Sequence, residues 1–205
     1  MLCALIMAGG KGTRFWPKST EEVPKQFLNL IDNKTMIQLT YERLLKIVPK
    51  ERIFIVTDSR YTNKVKEQIQ GIDEKNIIIE PAGRNTAPCI LLASLYIKQI
   101  YDEATIAVLP SDHAIMDSEG FCNTLKTAEN YVEFENKKAI VTIGITPDRP
   151  ETGYGYIKYI ENNDKVIKVE KFVEKPDIET AKKYLEERKL SLECWNVYIQ
   201  CQSYA

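Results

Sequence analysis

The chain has 205 residues, enough to bury one good core with at most a small appendage. Hydrophobic residues make up 44% and charged residues 28%, the balance of a soluble globular protein. A formal charge of -1 excludes a global basic field for nucleic acid, so any anion site must be local, and no apolar run reaches the length of a membrane span.

The first element is an apolar run, Leu2-Cys3-Ala4-Leu5-Ile6-Met7, with no basic segment before it; it reads as a buried strand and not as a secretory leader. It empties into Ala8-Gly9-Gly10-Lys11-Gly12-Thr13-Arg14. Glycines let backbone N–H groups approach phosphate oxygens with no Cβ in the way. Arg14 adds a planar fork suited to the same oxygens. Two familiar phosphate motifs fit poorly. The dinucleotide fingerprint is broken, with Phe15 at its third glycine and Pro17 where a helix should open, and the Gly-Lys-Ser/Thr end of a P-loop is absent. On the glycines alone, a tight strand-to-loop turn and a phosphate cradle both stand. Lys25, in Pro24-Lys25-Gln26-Phe27, favours phosphate. Pro24 stiffens the approach, Phe27 and Leu28 anchor the chain behind it, and a lysine so held neutralises charge on phosphorus oxygens.

Beyond this point the pattern predicts a helix over 35–47, a strand over 52–57, a helix over 61–70 and a strand over 76–80. A helix over 85–101 follows, with Ile90, Leu91, Ala93, Leu95 and Ile97 at helical spacing, then a strand over 105–109, a helix over 118–135 and a strand over 139–145. Strands over 154–160 and 165–173, joined through Glu161-Asn162-Asn163-Asp164, form a predicted hairpin, and a last helix spans 178–188. Fully apolar strands alternating with helices predict an α/β protein with a mostly parallel sheet covered on both faces. Ligands of such sheets bind outside the carboxyl ends of the strands. Four loops there carry glycine and charge: Ala8-Gly9-Gly10, Glu80-Pro81-Ala82-Gly83-Arg84-Asn85, Pro110-Ser111-Asp112-His113 and Glu151-Thr152-Gly153-Tyr154-Gly155. Together they predict one composite site.

Each loop also has a plain structural explanation. Asp112 is either a turn aspartate or a ligand for Mg2+, which takes one or two carboxylates plus phosphate oxygens and water. His113 is given no catalytic role. Asn85 is a good helix N-cap, though the same helix N-terminus can donate N–H groups to a ligand, with Gly83 and Ala87 leaving room for a flat base. Gly153 is either a bulge or a place where backbone approaches a sugar. Glu174 and Lys175 form either a solvated pair or a sugar-hydroxyl and sugar-phosphate contact. Cys3, Cys89, Cys122, Cys194 and Cys201 include no CxxC pair, and with His113 as the one histidine they predict no zinc site and a reducing, cytoplasmic setting.

Six segments carry a resemblance. They are Ala8-Gly9-Gly10-Lys11-Gly12-Thr13-Arg14-Phe15-Trp16-Pro17, Pro24-Lys25-Gln26-Phe27, Glu80-Pro81-Ala82-Gly83-Arg84-Asn85-Thr86-Ala87-Pro88, Leu109-Pro110-Ser111-Asp112-His113, Arg149-Pro150-Glu151-Thr152-Gly153-Tyr154-Gly155-Tyr156-Ile157 and Phe172-Val173-Glu174-Lys175-Pro176. In this order, over about residues 1–189, the chain resembles the sugar-nucleotide pyrophosphorylases, and within them the mannose-1-phosphate guanylyltransferase branch. The resemblance implies a three-layer, Rossmann-like nucleotide-diphospho-sugar transferase fold over 1–189. It implies GTP and mannose 1-phosphate as substrates, GDP-mannose and pyrophosphate as products, and Mg2+ as cofactor. The sugar phosphate attacks the α-phosphorus in line, and being already ionised it needs no general base.

The implied roles follow residue by residue. Arg14 holds the departing pyrophosphate and Lys25 stabilises the α-phosphoryl oxygens. The backbone from Ala8 through Gly9, Gly10, Gly12 and Thr13 cradles phosphates. Pro81, Gly83 and Asn85 frame the guanine, and Ser111 belongs to the nucleotide site. Asp112 ligates the metal, and Gly153, Glu174 and Lys175 hold mannose 1-phosphate. Full-length relatives are homo-oligomeric by the same implication.

Residues 190–205 depart from the family, which continues with a Tyr/Phe-Leu-Trp-Asn-Ser-Gly-Met-Phe stretch. Trp195-Asn196 comes too late and lacks the Ser-Gly. The expectation is an out-of-frame tail from a slip near codon 190, leaving the last strands, a second metal-binding aspartate and the oligomer contacts missing and turnover weak or absent. Resequencing tests this; an intact frame with no family-like continuation counts against it. Two other readings remain open: a transferase of the same fold with another base or sugar, and a catalytically silent nucleotide-binding domain. A dinucleotide oxidoreductase is disfavoured by the broken glycine fingerprint.

Overall fold

Four of the apolar runs expected to be strands become parallel strands. The structure, a computed structural model, describes residues 1–10, 15–135, 139–160, 164–187 and 190–200. It divides into two compact units, Met1–Ile140 with Tyr198–Ala205, and Val141–Val197.

In the first unit β1 (Leu2–Met7), β2 (Ile53–Asp58), β3 (Ile77–Glu80) and β4 (Thr105–Pro110) lie in the order β3-β2-β1-β4, all parallel. Leu5 stands opposite Phe54 on one side and Val108 on the other. Helices α1 (Met36–Leu44), α2 (Thr62–Gln68), α3 (Thr86–Ile100) and α4 (Ser118–Phe134) connect and cover them. Strand side chains alternate between faces. One face, with Cys3, Leu5, Phe54, Val56, Ile78 and Val108, packs on Ile90, Ala93 and Ile97 of α3. The other carries Ala4, Ile6, Ile55 and Leu109 and meets α1 and α4. Along β1, β2 and β4 both faces are covered, which is why those strands are apolar instead of alternating, whereas Ile79 on the edge strand β3 is exposed.

The helices are shorter than predicted at some ends. The helix expected over 35–47 stops at Leu44, where Ile47 and Val48 both donate back to the Leu44 carbonyl. It begins where Gln38 reaches back to accept from the Thr35 N–H at 2.9 Å. Helix α4 is capped by Asp117, which accepts from Gly120 N–H at 2.8 Å. In α3 the apolar spacing overstated the buried face. Ile90, Ala93 and Ile97 are buried, whereas Leu91 and Leu95 occupy a neighbouring ridge and are exposed. None of the described helices is long and apolar enough to cross a membrane.

The second unit holds β5 (Val141–Ile145), β6 (Tyr156–Tyr159), β7 (Val169–Val173), α5 (Ile178–Glu187) and, as far as Val197, β8 (Leu190–Gln200). The predicted hairpin is there: β6 pairs antiparallel with β7, Tyr156 opposite Val173 and Lys158 opposite Lys171. Both strands are shorter than expected, with a register irregularity after Lys158. Glu161, Asn162 and Asn163 of the expected turn lie outside the described residues. On its other side β6 pairs antiparallel with β8, Tyr156 opposite Leu192 and Lys158 opposite Leu190. The stretch beginning at residue 190, set apart as a tail in the sequence, is therefore extended backbone hydrogen-bonded into a sheet. Helix α5 starts from Asp177, which accepts from Thr180 N–H at 2.8 Å, and packs Tyr184 against Tyr156 with the rings tilted and their centroids 5.4 Å apart.

Candidate active site

Strand β1 delivers the chain to the carboxyl edge of the parallel sheet. Ala8 is buried there, its N–H donating to the Val56 carbonyl at 2.8 Å. Gly9 is half-buried and Gly10 exposed. A Cβ on Gly9 would sit 3.2 Å from the Glu80 carboxylate, so the loop after β1 meets the end of β3 at this point and leaves little room for a side chain. Lys11, Gly12, Thr13 and Arg14 lie outside the described residues, so the structure is silent on the roles expected of Gly12, Thr13 and Arg14.

Lys25 heads a 3-10 turn, Lys25–Phe27, entered from Pro24 in extended conformation. Phe27 anchors it from the core, its ring 5.8 Å from that of Tyr61, while Leu28 is only half-buried. The Gln68 amide donates to the Phe27 carbonyl at 3.3 Å. Gln26, between the two, is 4% exposed and donates to the carbonyls of Ala8 at 3.1 Å and Gly10 at 3.0 Å. The lysine turn is thus tied to both the core and the glycine loop.

Asp112 reaches the same place from the end of β4. Its Oδ2 lies 3.3 Å from Lys25 Nζ, with side chains 38% and 22% exposed respectively. Phe15 lies beneath the ammonium, its ring centroid 4.7 Å from Nζ. Next to it Trp16 is 78% exposed. Ser111, buried, fixes this loop: its N–H donates to the Met7 carbonyl at 3.1 Å and its own carbonyl accepts from Thr40 Oγ1 at 3.4 Å. Burial holds the His113 pKa below its ordinary value, with Asp112 opposing and Lys25 and Arg43 acting in the same direction as burial.

The loop after β3 is open. Pro81, Gly83 and Asn85 are exposed, and a Cβ at Gly83 would meet nothing within 4 Å. The N-cap expectation for Asn85 needs correction. It occupies the position, but with φ 68 and ψ -173 it makes no side-chain cap bond. A non-glycine residue at positive φ is strained, and asparagine tolerates it better than most. Asp58, missed in the sequence, sits at the neighbouring strand end opposite Glu80. Hydrogen bonds from the Arg60 guanidinium and backbone N–H pull its pKa down to about 2.

In the second unit Gly153 is exposed with open space around it. Glu174 and Lys175 follow β7 as an exposed ion pair, 3.4 Å apart.

The described residues contain no group of three or more His, Cys, Asp or Glu side chains able to enclose a metal ion. Asp112 offers a single, partly exposed carboxylate beside the glycine loop. That donor set suits Mg2+, a hard cation that completes its shell with phosphate oxygens and water, and does not suit zinc.

Comparison with known proteins identifies the family of the chain. The nucleotidyl transferase family model matches residues 3–191. A mannose-1-phosphate guanylyltransferase of Escherichia coli is 41% identical over 194 residues, covering 90% of this chain and 41% of that protein. One from Salmonella typhimurium is 45% identical over 191 residues, covering 90% of this chain and 39% of its own length. The chain therefore spans about two fifths of these curated relatives. Among solved structures, the mannose-1-phosphate geranyltransferase of Thermus thermophilus superposes with a TM-score of 0.88 at 34% identity, covering 98% of this chain and 57% of that one. An apo UDP-glucose pyrophosphorylase, at TM-score 0.62 and 19% identity over 98% of this chain and 77% of that one, shares the fold. The chain belongs to the nucleotidyl transferase family.

Proposed function

We propose that this chain carries out, or forms the nucleotide-binding part of a protein that carries out, transfer of GMP from GTP to α-D-mannose 1-phosphate, releasing pyrophosphate. The observation that carries it is the meeting of Lys25 and Asp112 at 3.3 Å beside the Ala8–Gly10 backbone. A cation for phosphate and a carboxylate for a phosphate-bound metal are what phosphoryl transfer asks of a protein. The names of the relatives support guanine and mannose.

On this reading the backbone at Ala8, Gly9, Gly10, Gly12 and Thr13 receives the triphosphate, with Ser111 at its side. Lys25 leaves Asp112 for the α-phosphoryl oxygens and stabilises charge growing there as the bond to pyrophosphate lengthens. Arg14 holds the pyrophosphate. Asp112 would hold Mg2+, which when bound neutralises charge on the phosphates. Pro81, Gly83 and Asn85 frame the base. Gly153, Glu174 and Lys175 receive the sugar phosphate, whose ionised oxygen is the nucleophile and needs no base. Cys89 and Cys122 are free and buried, which suits the reducing cytoplasm we propose as its compartment.

Thermal unfolding with GTP, UTP, dTTP and ATP, each with Mg2+, tests the reading, because a ligand bound only by the folded chain raises its melting temperature. A rise with GTP above the other three is expected. No rise with any of them, or a larger one with another base, overturns it. Pyrophosphate release on adding mannose 1-phosphate then tests the transfer itself.

A further inference from the structure

A loop that binds an anion must present donors and keep its carbonyls turned away. Each trans peptide unit points its C=O and its N–H in opposite directions. A carbonyl that swings toward phosphate therefore repels it and removes a donor at the same time.

Two carbonyls at the mouth of the glycine loop are held by one side chain. Gln26 is 4% exposed, and its amide nitrogen donates to the Ala8 carbonyl at 3.1 Å and the Gly10 carbonyl at 3.0 Å. Both partners are carbonyls, so the amide orientation is fixed by them: only the NH2 end can face two acceptors. The Ala8 carbonyl also accepts from the Thr57 hydroxyl at 3.0 Å, and the Ala8 N–H is taken by Val56. The peptide unit between Ala8 and Gly9 cannot flip without breaking two hydrogen bonds, and its N–H, on Gly9, faces away from Gln26.

We propose that Gln26 is a positioning residue for phosphate binding: it holds the Ala8 and Gly10 carbonyls back, so that the loop shows N–H groups to the triphosphate, and ties that loop to Lys25, its neighbour in the chain. This rests on the nucleotide reading above. Few side chains fit the task. Leucine and methionine have no donor, glutamate offers acceptors to acceptors, and asparagine is one methylene short.

The experiment is a calorimetric titration of the whole chain, and of its Gln26→Met and Gln26→Glu variants, with Mg2+–GTP and with guanosine, which has no phosphate. Gln26→Met is expected to weaken GTP about tenfold, the effect of losing two hydrogen bonds, one of them to a buried carbonyl, and to leave guanosine unchanged. Gln26→Glu is expected to weaken GTP further. Unchanged GTP affinity, or equal losses for GTP and guanosine, overturns the proposal, since a merely structural role lowers both together. Thr57→Val, which removes one of the two donors to Ala8, serves if the Gln26 variants do not fold; its smaller loss must again fall on GTP alone, and an equal loss refutes the clamp. Failure of the unaltered chain to bind GTP overturns the nucleotide reading itself, a separate outcome.

Discussion

At the scale of single residues, Lys25 matters most. Its ammonium is shared between the Asp112 carboxylate and the Phe15 ring, and it is less exposed than most surface lysines. Removing it takes away a charge aimed at the reacting phosphoryl group and leaves Asp112 in partly solvated surroundings, where an unpaired carboxylate costs little. Lys25→Met is therefore expected to lower the transfer rate by about 10²–10³-fold, with little change in melting temperature, read by pyrophosphate release and thermal unfolding. Asp58 has a different kind of importance. Arg60 lowers its folded pKa to about 2, below the ordinary 3.8. The carboxylate thus stabilises the folded chain above the unfolded pKa, and that stabilisation is lost as pH falls from about 4 to about 2. The stability gap between the unaltered chain and Asp58→Asn should be present at pH 6 and close towards pH 2, as measured by urea unfolding across that range. Lys25 and Asp112 were legible as single residues because charge standing next to glycine at a strand end is unusual. Asp58 and Gln26 were not. A polar residue at a strand end or inside a turn looks ordinary until its partners, 2 and 16 or 18 positions away, are known.

At the scale of elements, the four parallel strands could be read closely from composition. Strands such as Leu2–Met7 are buried on both faces, and their unbroken apolar runs say so. Leu5 is wholly buried at the middle of this layer, between Phe54 and Val108. Leu5→Ala is expected to cost about 2–5 kcal/mol, a large part of the stability of a domain, as a lowered urea midpoint with unchanged slope. Helix ends and faces were harder. Asn85 looked like a cap by residue type, but capping needs an extended backbone, and at positive φ its side chain makes no bond to the first turn. Leu91 and Leu95 looked like core by spacing, yet Ile90, Ala93 and Ile97 take the buried stripe. A helix rich in apolar residues offers more than one candidate stripe, and only the sheet beneath chooses between them.

At the scale of the whole molecule, the parallel unit could be foreseen and the 141–197 unit only in part. Its hairpin announced itself through two β-rich runs around an Asn-Asp turn, but nothing local marked Leu190–Gln200 as a partner for β6. Strand pairing across more than thirty residues depends on register with a distant chain, which neither propensity nor periodicity encodes. Trp16 offers a way to watch the nucleotide site directly. It is 78% exposed, beside the Phe15 that supports Lys25, and the sequence has two tryptophans, Trp16 and Trp195. In a Trp195→Phe variant the indole emission would come from Trp16 alone and would peak far to the red, as for a ring in water. Filling of the neighbouring loop by a triphosphate is expected to move that maximum to the blue, and an emission spectrum indifferent to saturating GTP would place Trp16 beyond the reach of the bound ligand. The chain would then report its own occupancy by colour, with no dye, label or coupled enzyme.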